Sequence, residues 1–171
     1  MTYSTRRPVV GYPGRLLVPN LGGLHPVSTA ATSLNTLAAN QAYYLPFMAP
    51  YDTGVATMSF FCGAGTNNHD LGIYDAAGNR LTSRGATATS AGAINTWTLG
   101  TPQAVTAGTL YYAAFGLVSA VPTIASWAAS IRTVTLGIFT QGTAVALPST
   151  ATFAQASTAT IMPILSLTFT T

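Results

Sequence analysis

The side chains best suited to proton transfer, metal binding or nucleophilic attack are few in this sequence: Asp52, Asp70, Asp75, His25, His69 and Cys62. Catalysis by paired carboxylates needs two acids held close to one another. Asp75 instead opens Asp75-Ala-Ala-Gly78-Asn79, a turn in which Asp accepts hydrogen bonds from nearby backbone amides. Asp52 lies in a second turn, Pro50-Tyr-Asp52-Thr-Gly54. Asp70 is expected to form a structural pair with Arg80 or Arg84. His69 beside Asp70, a distant His25 and a lone Cys62 lack the spacing of a metal site. The polar stretch at residues 65–70 lacks the spacing of an EF-hand calcium loop. Cys62 ends Met58-Ser-Phe60-Phe61-Cys62, where a free thiol acts as a small apolar filler and is expected to be buried. There is no GxSxG elbow, no phosphate-binding glycine loop and no dinucleotide fingerprint. No catalytic residue, metal ligand or cofactor is therefore assigned, and a non-enzymatic protein is expected.

The elements that would have to position these residues are read from composition and periodicity. Of 171 residues only six are basic and three acidic, all of them Arg or Asp. Lys and Glu, which keep a free surface hydrated, are absent. A chain with 5% charge where a quarter is usual points to a surface covered by neighbouring chains. The net charge of +3 is a small difference between small counts and disfavours nucleic acid as a partner. No apolar run is long enough to span a bilayer, and Pro8, Gly11, Pro13 and Gly14 interrupt any leader-like run after Arg6 and Arg7. No membrane association is expected.

The first 27 residues carry Pro8, Pro13, Pro19 and Pro26. Prolines at this density exclude a helix and disfavour a central strand. Residues 1–27 are therefore expected to form an extended arm, followed by one β domain over residues 28–171. Beyond the arm, Thr, Val, Ile, Tyr and Phe recur in short alternating runs between Gly, Asn and Pro turns. Strands are expected over residues 42–47, 55–62, 70–75, 80–84, 95–99, 109–118, 133–139 and 162–169. Alternation places Ile73, Tyr112, Leu136 and Leu167 inside. Large residues alternate on both sides of the run from Leu110 to Phe115, which predicts burial of both its faces. Residues 125–131 look briefly helical, residues 28–41 are ambiguous, and residues 141–160 read as a long loop. Eight short strands with turn punctuation predict an all-β, two-sheet antiparallel sandwich of jelly-roll type.

Four stretches carry a resemblance: Asn40-Gln-Ala-Tyr43-Tyr44-Leu-Pro46-Phe47, Val55-Ala-Thr-Met58-Ser-Phe60, Leu71-Gly72-Ile73-Tyr74-Asp75-Ala-Ala-Gly78-Asn79-Arg80-Leu81 and Ala107-Gly108-Thr-Leu-Tyr111-Tyr112-Ala-Ala-Phe115. Over roughly residues 40–118 the chain resembles the β-sandwich modules of virion structural proteins of tailed bacteriophages, both capsid decoration proteins and tail or fibre tips. That resemblance implies a jelly-roll-like fold and a place in a virion assembled in the host cytoplasm. The leading expectation is a capsid decoration or cement protein, a homo-oligomer of trimeric type, that binds the major capsid protein lattice. The alternative is a tail-fibre, spike or baseplate module that binds host-surface glycan.

Each expectation has its residues. In the arm, Val9, Val10, Leu16, Leu17, Val18 and Leu21 would supply apolar contact with a neighbouring virion protein. Arg6, Arg7 and Arg15 would meet its carboxylates, for which the guanidinium is well shaped. In the glycan reading, Tyr74, Trp97 and Trp127 would be stacking platforms.

Overall fold

A computed structural model describes residues 15–18, 33–49, 51–117, 122–128, 138–142, 146–153 and 161–170. Its strands are β1 (Arg15–Val18), β2 (Ser33–Thr36), β3 (Gln41–Met48), β4 (Thr53–Ala64), β5 (Asn68–Asp75), β6 (Arg80–Ser83), β7 (Thr87–Ala88), β8 (Ala93–Val105), β9 (Leu110–Leu117), β10 (Thr123–Ala128), β11 (Phe139–Gly142), β12 (Ile161–Pro163) and β13 (Leu165–Phe169). They form two antiparallel sheets, and there is no helix among the described residues. One sheet runs β11-β3-β9-β5-β6, with β7 also on β5. The other is built on β4, with β8 along one edge and β13 and β10 along the opposite edge.

The pairings are nested: β2 with β10, β3 with β9, β4 with β8, β5 with β6. A chain paired this way is one long hairpin whose two arms roll up together, which is how a jelly roll is built. The expected all-β sandwich is thus the fold observed.

The period-2 pattern sets the two faces. Tyr43, Leu45 and Phe47 of β3, Leu71 and Ile73 of β5, and Tyr111, Ala113 and Phe115 of β9 enter the core between the sheets. They meet Val55, Met58, Phe60 and Cys62 of β4 and Leu165, Leu167 and Phe169 of β13. The alternate residues Ala42, Tyr44, Tyr74, Tyr112 and Ala114 form a second apolar cluster on the opposite face of the same sheet. The two-sided burial predicted for β9 is therefore real, and Ile73 and Leu167 enter the core as expected. Tyr112 is buried on the opposite face instead, and Tyr111 takes the core position, because both faces of β9 carry large side chains and alternation alone does not say which meets the other sheet. Leu136 lies outside the described residues.

Several local expectations need correction. β1 pairs in register with β13, from Arg15 opposite Thr168 to Val18 opposite Leu165. Arg15–Val18, within the expected arm, are thus paired into this chain's own sheet. β13 presented an open edge, and edge pairing satisfies backbone groups whatever the side chains. Thr123–Ala128 is strand β10, not a helix start, because long-range pairing with β2, β4 and β12 outweighs local propensity. The ambiguous segment contributes β2. β8 runs well past residues 95–99. The expected strand at 133–139 lies outside the described residues up to residue 137, and β11 begins at Phe139.

The β5–β6 turn closes as read from Asp75-Ala-Ala-Gly78-Asn79. Asp75 Oδ1 accepts from the Asn79 amide at 2.8 Å and Oδ2 from Asn79 Nδ2 at 2.9 Å. These bonds hold the exposed carboxyl below the ordinary Asp range. Gly78 has φ of +90°, and a Cβ there would stand 2.6 Å from the Ala151 carbonyl oxygen. Gly85 has a similar φ of +79° with nothing within 4 Å of such a Cβ. Gly85→Ala should therefore cost about 1 kcal/mol of unfolding free energy from backbone strain alone, and Gly78→Ala about 2–3 kcal/mol. Urea denaturation of the two variants checks the difference.

Candidate functional site

The residues that might have done chemistry are occupied inside the fold. Asp70 is fully buried in β5. Its Oδ1 accepts from the Gly85 amide at 2.8 Å and its Oδ2 from the Leu147 amide at 2.9 Å. The expected ion pair with Arg80 or Arg84 gives way to these two backbone amides, which would otherwise be left without acceptors. Burial pushes the Asp70 carboxyl above its ordinary range, while the two amides and the charge of Arg80 pull it down.

His69 is also fully buried. Its ring packs edge-on to Phe60, with centroids 4.7 Å apart, and lies parallel to Phe115. Nδ1 is 3.0 Å from Thr89 Oγ1, and Nε2 is 3.4 Å from Arg84 Nη1. Arginine can only donate, so Nε2 accepts and Nδ1–H donates to Thr89. Burial, aided by the Arg84 charge, lowers the imidazole from 6.5 to about 4. A neutral, enclosed ring of this kind is a core element. Asp52 accepts from the Ala107 amide at 2.7 Å, a long-range bond that its own turn did not reveal. Cys62 is buried, and burial raises its thiol. Among the described residues no three His, Cys, Asp or Glu side chains come together.

Residues 146–153 form a strap over the outer face of the sheet that contains β3, β9 and β5. Leu147 sits against Gly72 and Gly116, and a Cβ on Gly72 would be 2.8 Å from Leu147 Cδ1. The strap's polar backbone is matched group by group. Besides Leu147 N on Asp70, the Arg80 guanidinium donates to the Leu147 carbonyl and Tyr74 Oη to the Pro148 carbonyl. Arg80 N donates to Ser149 O at 3.0 Å and Ala151 N to Gly78 O at 2.8 Å. Thr152 N and Tyr44 Oη both donate to Gln141 Oε1. Phe153 ends the strap against Tyr112, Tyr44 and Phe139, with centroids 4.4, 5.4 and 5.1 Å away. Burial raises Tyr44 to about 12 and raises Tyr74 further still.

This placement corrects one proposed platform. Tyr74 is fully buried beneath the strap and cannot stack on a sugar. Trp97 of β8 packs partly buried against the core. Trp127 lies in β10 opposite Met162, and its side chain is outside the described part of the structure. Of the arm residues, Arg15, Leu16, Leu17 and Val18 form β1. Arg6, Arg7, Val9, Val10 and Leu21 lie outside the described residues.

The β4-centred sheet has a different exterior. Its outer face carries Thr57, Ser59, Thr96 and Thr98, with Ser59 Oγ 3.0 Å from Thr96 Oγ1. At one end are three exposed apolar side chains: Phe61 (38% exposed), Ile94 (69%) and Leu34 (51%). Phe61 and Ile94 are cross-strand partners, and Leu34 covers Gly63 two residues along β4 from Phe61. They thus form one continuous apolar patch. Beside it runs β8, thirteen residues long, paired with β4 and with no strand on its other side among the described residues. Neither feature emerged from the sequence. In Ile94-Asn-Thr-Trp97-Thr-Leu99 apolar residues occur at both parities, which conceals which face is wet.

No protein-family model matches this chain, and no curated protein is similar to it. Among the described residues no helix is long and apolar enough to cross a membrane.

Two expected outcomes follow from the buried pair. His69 binds its proton more weakly folded than unfolded, so acidification through the window from 6.5 to about 4 removes stability, by about 3 kcal/mol from this group. Asp70, raised by burial, acts with the opposite sign: its contribution is present at low pH and is lost as pH rises through its folded value. Chemical denaturation at pH 7 and pH 4.5 should show a net acid loss that steepens in Asp70→Asn. That variant turns an amide NH2 towards one of two backbone donors and should itself cost about 2–4 kcal/mol at pH 7. Limited proteolysis should then cut within residues 146–153.

Proposed function

We propose that this chain is a non-enzymatic structural component of a multi-subunit assembly. On the resemblance of residues 40–118, that assembly is the virion of a tailed bacteriophage, and the role is that of a capsid decoration protein on the major capsid protein lattice. The observation that carries the reading is the exterior of the β4-centred sheet. Over β4 and β8 it carries no charged residue, it exposes Leu34, Phe61 and Ile94, and among the described residues β8 is its last strand on one side. A monomer that works alone seldom leaves such an apolar patch on a strip without Lys or Glu.

The scarcity of charge supports the same reading. The sequence contains no Asp, Glu, Lys or Arg between Arg84 and Arg132, a stretch that includes all of β8, β9 and β10. The interior supports a non-catalytic role, since each carboxylate is engaged with backbone amides and the described histidine is enclosed. The alternative of a glycan-binding tail module loses Tyr74 as a platform.

The test is to raise an antibody against the purified protein and to quantify the chain in purified phage particles. A decoration protein is expected in hundreds of copies per particle and on the head by immunogold labelling. Copies limited to a few tens, confined to the tail, would move the role to a tail module. Absence from every particle fraction would remove the virion reading.

A further inference from the structure

We propose that residues 146–153 are a detachable cover, which lifts as one unit from the outer face of the sheet containing β3, β9 and β5 while the sandwich stays folded. The aromatic face beneath is then presented only in the opened state.

The strap's apolar contacts are separate from the main core. The core between the sheets is built without any residue of 146–153. The strap belongs instead to the second cluster, to which it gives Leu147, Ala151 and Phe153. The ladder β11-β3-β9-β5-β6 is complete without it. Among the described residues its bridge to that sheet is Thr150 opposite Asn79, in the β5–β6 turn. Lifting the strap therefore breaks no strand pairing and leaves the space between the sheets filled. A segment with that independence opens at a lower free energy than the whole domain.

The anchors converge on Leu147. Its side chain fills a slot left by the missing side chains of Gly72 and Gly116. Its N–H is held by Asp70 Oδ2, and its carbonyl by the Arg80 guanidinium. The other bonds follow along the strap: Arg80 N to Ser149 O, Ala151 N to Gly78 O, and Thr152 N to Gln141 Oε1. Ala146, Ser149, Thr150 and Thr152 are exposed, so water reaches the segment from above and can replace these bonds one for one. Once Leu147 leaves its slot, little holds the remainder, which is why the unit opens together.

Closure also carries an internal cost. Asp70 is fully buried, and burial holds its carboxyl above the ordinary range despite the Gly85 and Leu147 amides and the charge of Arg80. Opening returns the carboxylate to water, and Arg80, whose charge already acts on it, can replace the Leu147 amide as its partner. Both groups that grip Leu147 thus have substitutes in the open state, so neither is stranded by opening. Opening uncovers Tyr44, Tyr74 and Tyr112, with Ala42 and Ala114 beside them.

The experiment is native-state hydrogen exchange of the full-length chain, resolved amide by amide by NMR over a series of sub-denaturing urea concentrations. The amides of Leu147, Ala151 and Thr152 should exchange together with that of Arg80. They should do so at least about tenfold faster than Ala113 and Phe115 in β9, and with a weaker dependence on urea, because less surface is exposed. Gly116→Val fills the slot from below. The nearest atoms to a Cβ there are Leu147 Cδ2 and Cγ at 3.3 and 3.6 Å, with Asp70 Cβ at 3.9 Å. In this variant the strap amides should exchange at least about tenfold faster again, while far-UV circular dichroism and the protection of β9 stay at parent values. Strap amides that exchange only with β9, at its rate and urea dependence, would overturn the proposal by making the strap part of the cooperative core. Strap amides that exchange like an unstructured peptide would overturn it by showing no closed cover. A Gly116→Val chain in which strap and β9 accelerate equally, or in which the strap does not accelerate, would overturn it as well. Should Gly116→Val not fold, the parent chain's exchange decides alone.

Discussion

The sheet containing β3, β9 and β5 is apolar on both faces, and the rest of the molecule is arranged around that constraint. One face meets the other sheet. The other carries Ala42, Tyr44, Tyr74, Tyr112 and Ala114 and has to be covered by something. Residues 146–153 cover it, but an irregular segment laid on an apolar surface brings unpaired amides and carbonyls with it, and leaving these unmet is costly. Asp70, Arg80, Tyr74, Gln141 and the Gly78 turn supply the missing partners. This accounts for a buried carboxylate in a chain that has only three acidic residues. Its work is to hold the backbone of Gly85 and Leu147, and burial of the group is tolerable because those amides satisfy both oxygens.

The same constraint leaves the two sheets unequal. One is finished on both faces by its own chain. The β4-centred sheet has its inner face in the core and an outer face of Thr and Ser with Leu34, Phe61 and Ile94 clustered at one end. On one side its edge is extended by β13 and β1, which shield β4, while on the other β8 is the last strand among the described residues. Among the described residues the molecule thus has a closed side, covered on both faces of its sheet, and an open one.

The polar groups most easily taken for a reactive site sit on the closed side, in the interior. His69 beside Asp70 invites an acid–base reading, but each faces its own structural partners: Thr89 and Arg84 for the ring, two amides for the carboxylate. Their shifted ionisation comes mainly from enclosure, and the pair ties the sheet to the strap and to residues 85–89. The exterior of β4 and β8 differs in that neither strand carries a charged residue.

Much of this was written locally in the chain. Alternation in Leu71-Gly-Ile73-Tyr74 determined that Leu71 and Ile73 face the core, and in Leu110-Tyr-Tyr112-Ala-Ala-Phe115 it required β9 to be covered twice without fixing which face meets the other sheet. Asp75-Ala-Ala-Gly78-Asn79 determined its own turn, because Asp caps amides and only Gly accepts that φ easily. The nine charged residues among 171 determined that proton-transfer chemistry is scarce. Other features depend on which segment arrives beside which. β1 joins β13, β10 is a strand and not a helix, Asp70 meets amides and not an arginine, and Tyr74 disappears beneath residues 146–153. Backbone hydrogen bonds decide most of these, and they are nearly blind to side-chain identity, so no local pattern reports them. That β8 borders the sheet among the described residues is of the same kind. An edge is defined by the strand that is not beside it, and only the assembled sheet determines that.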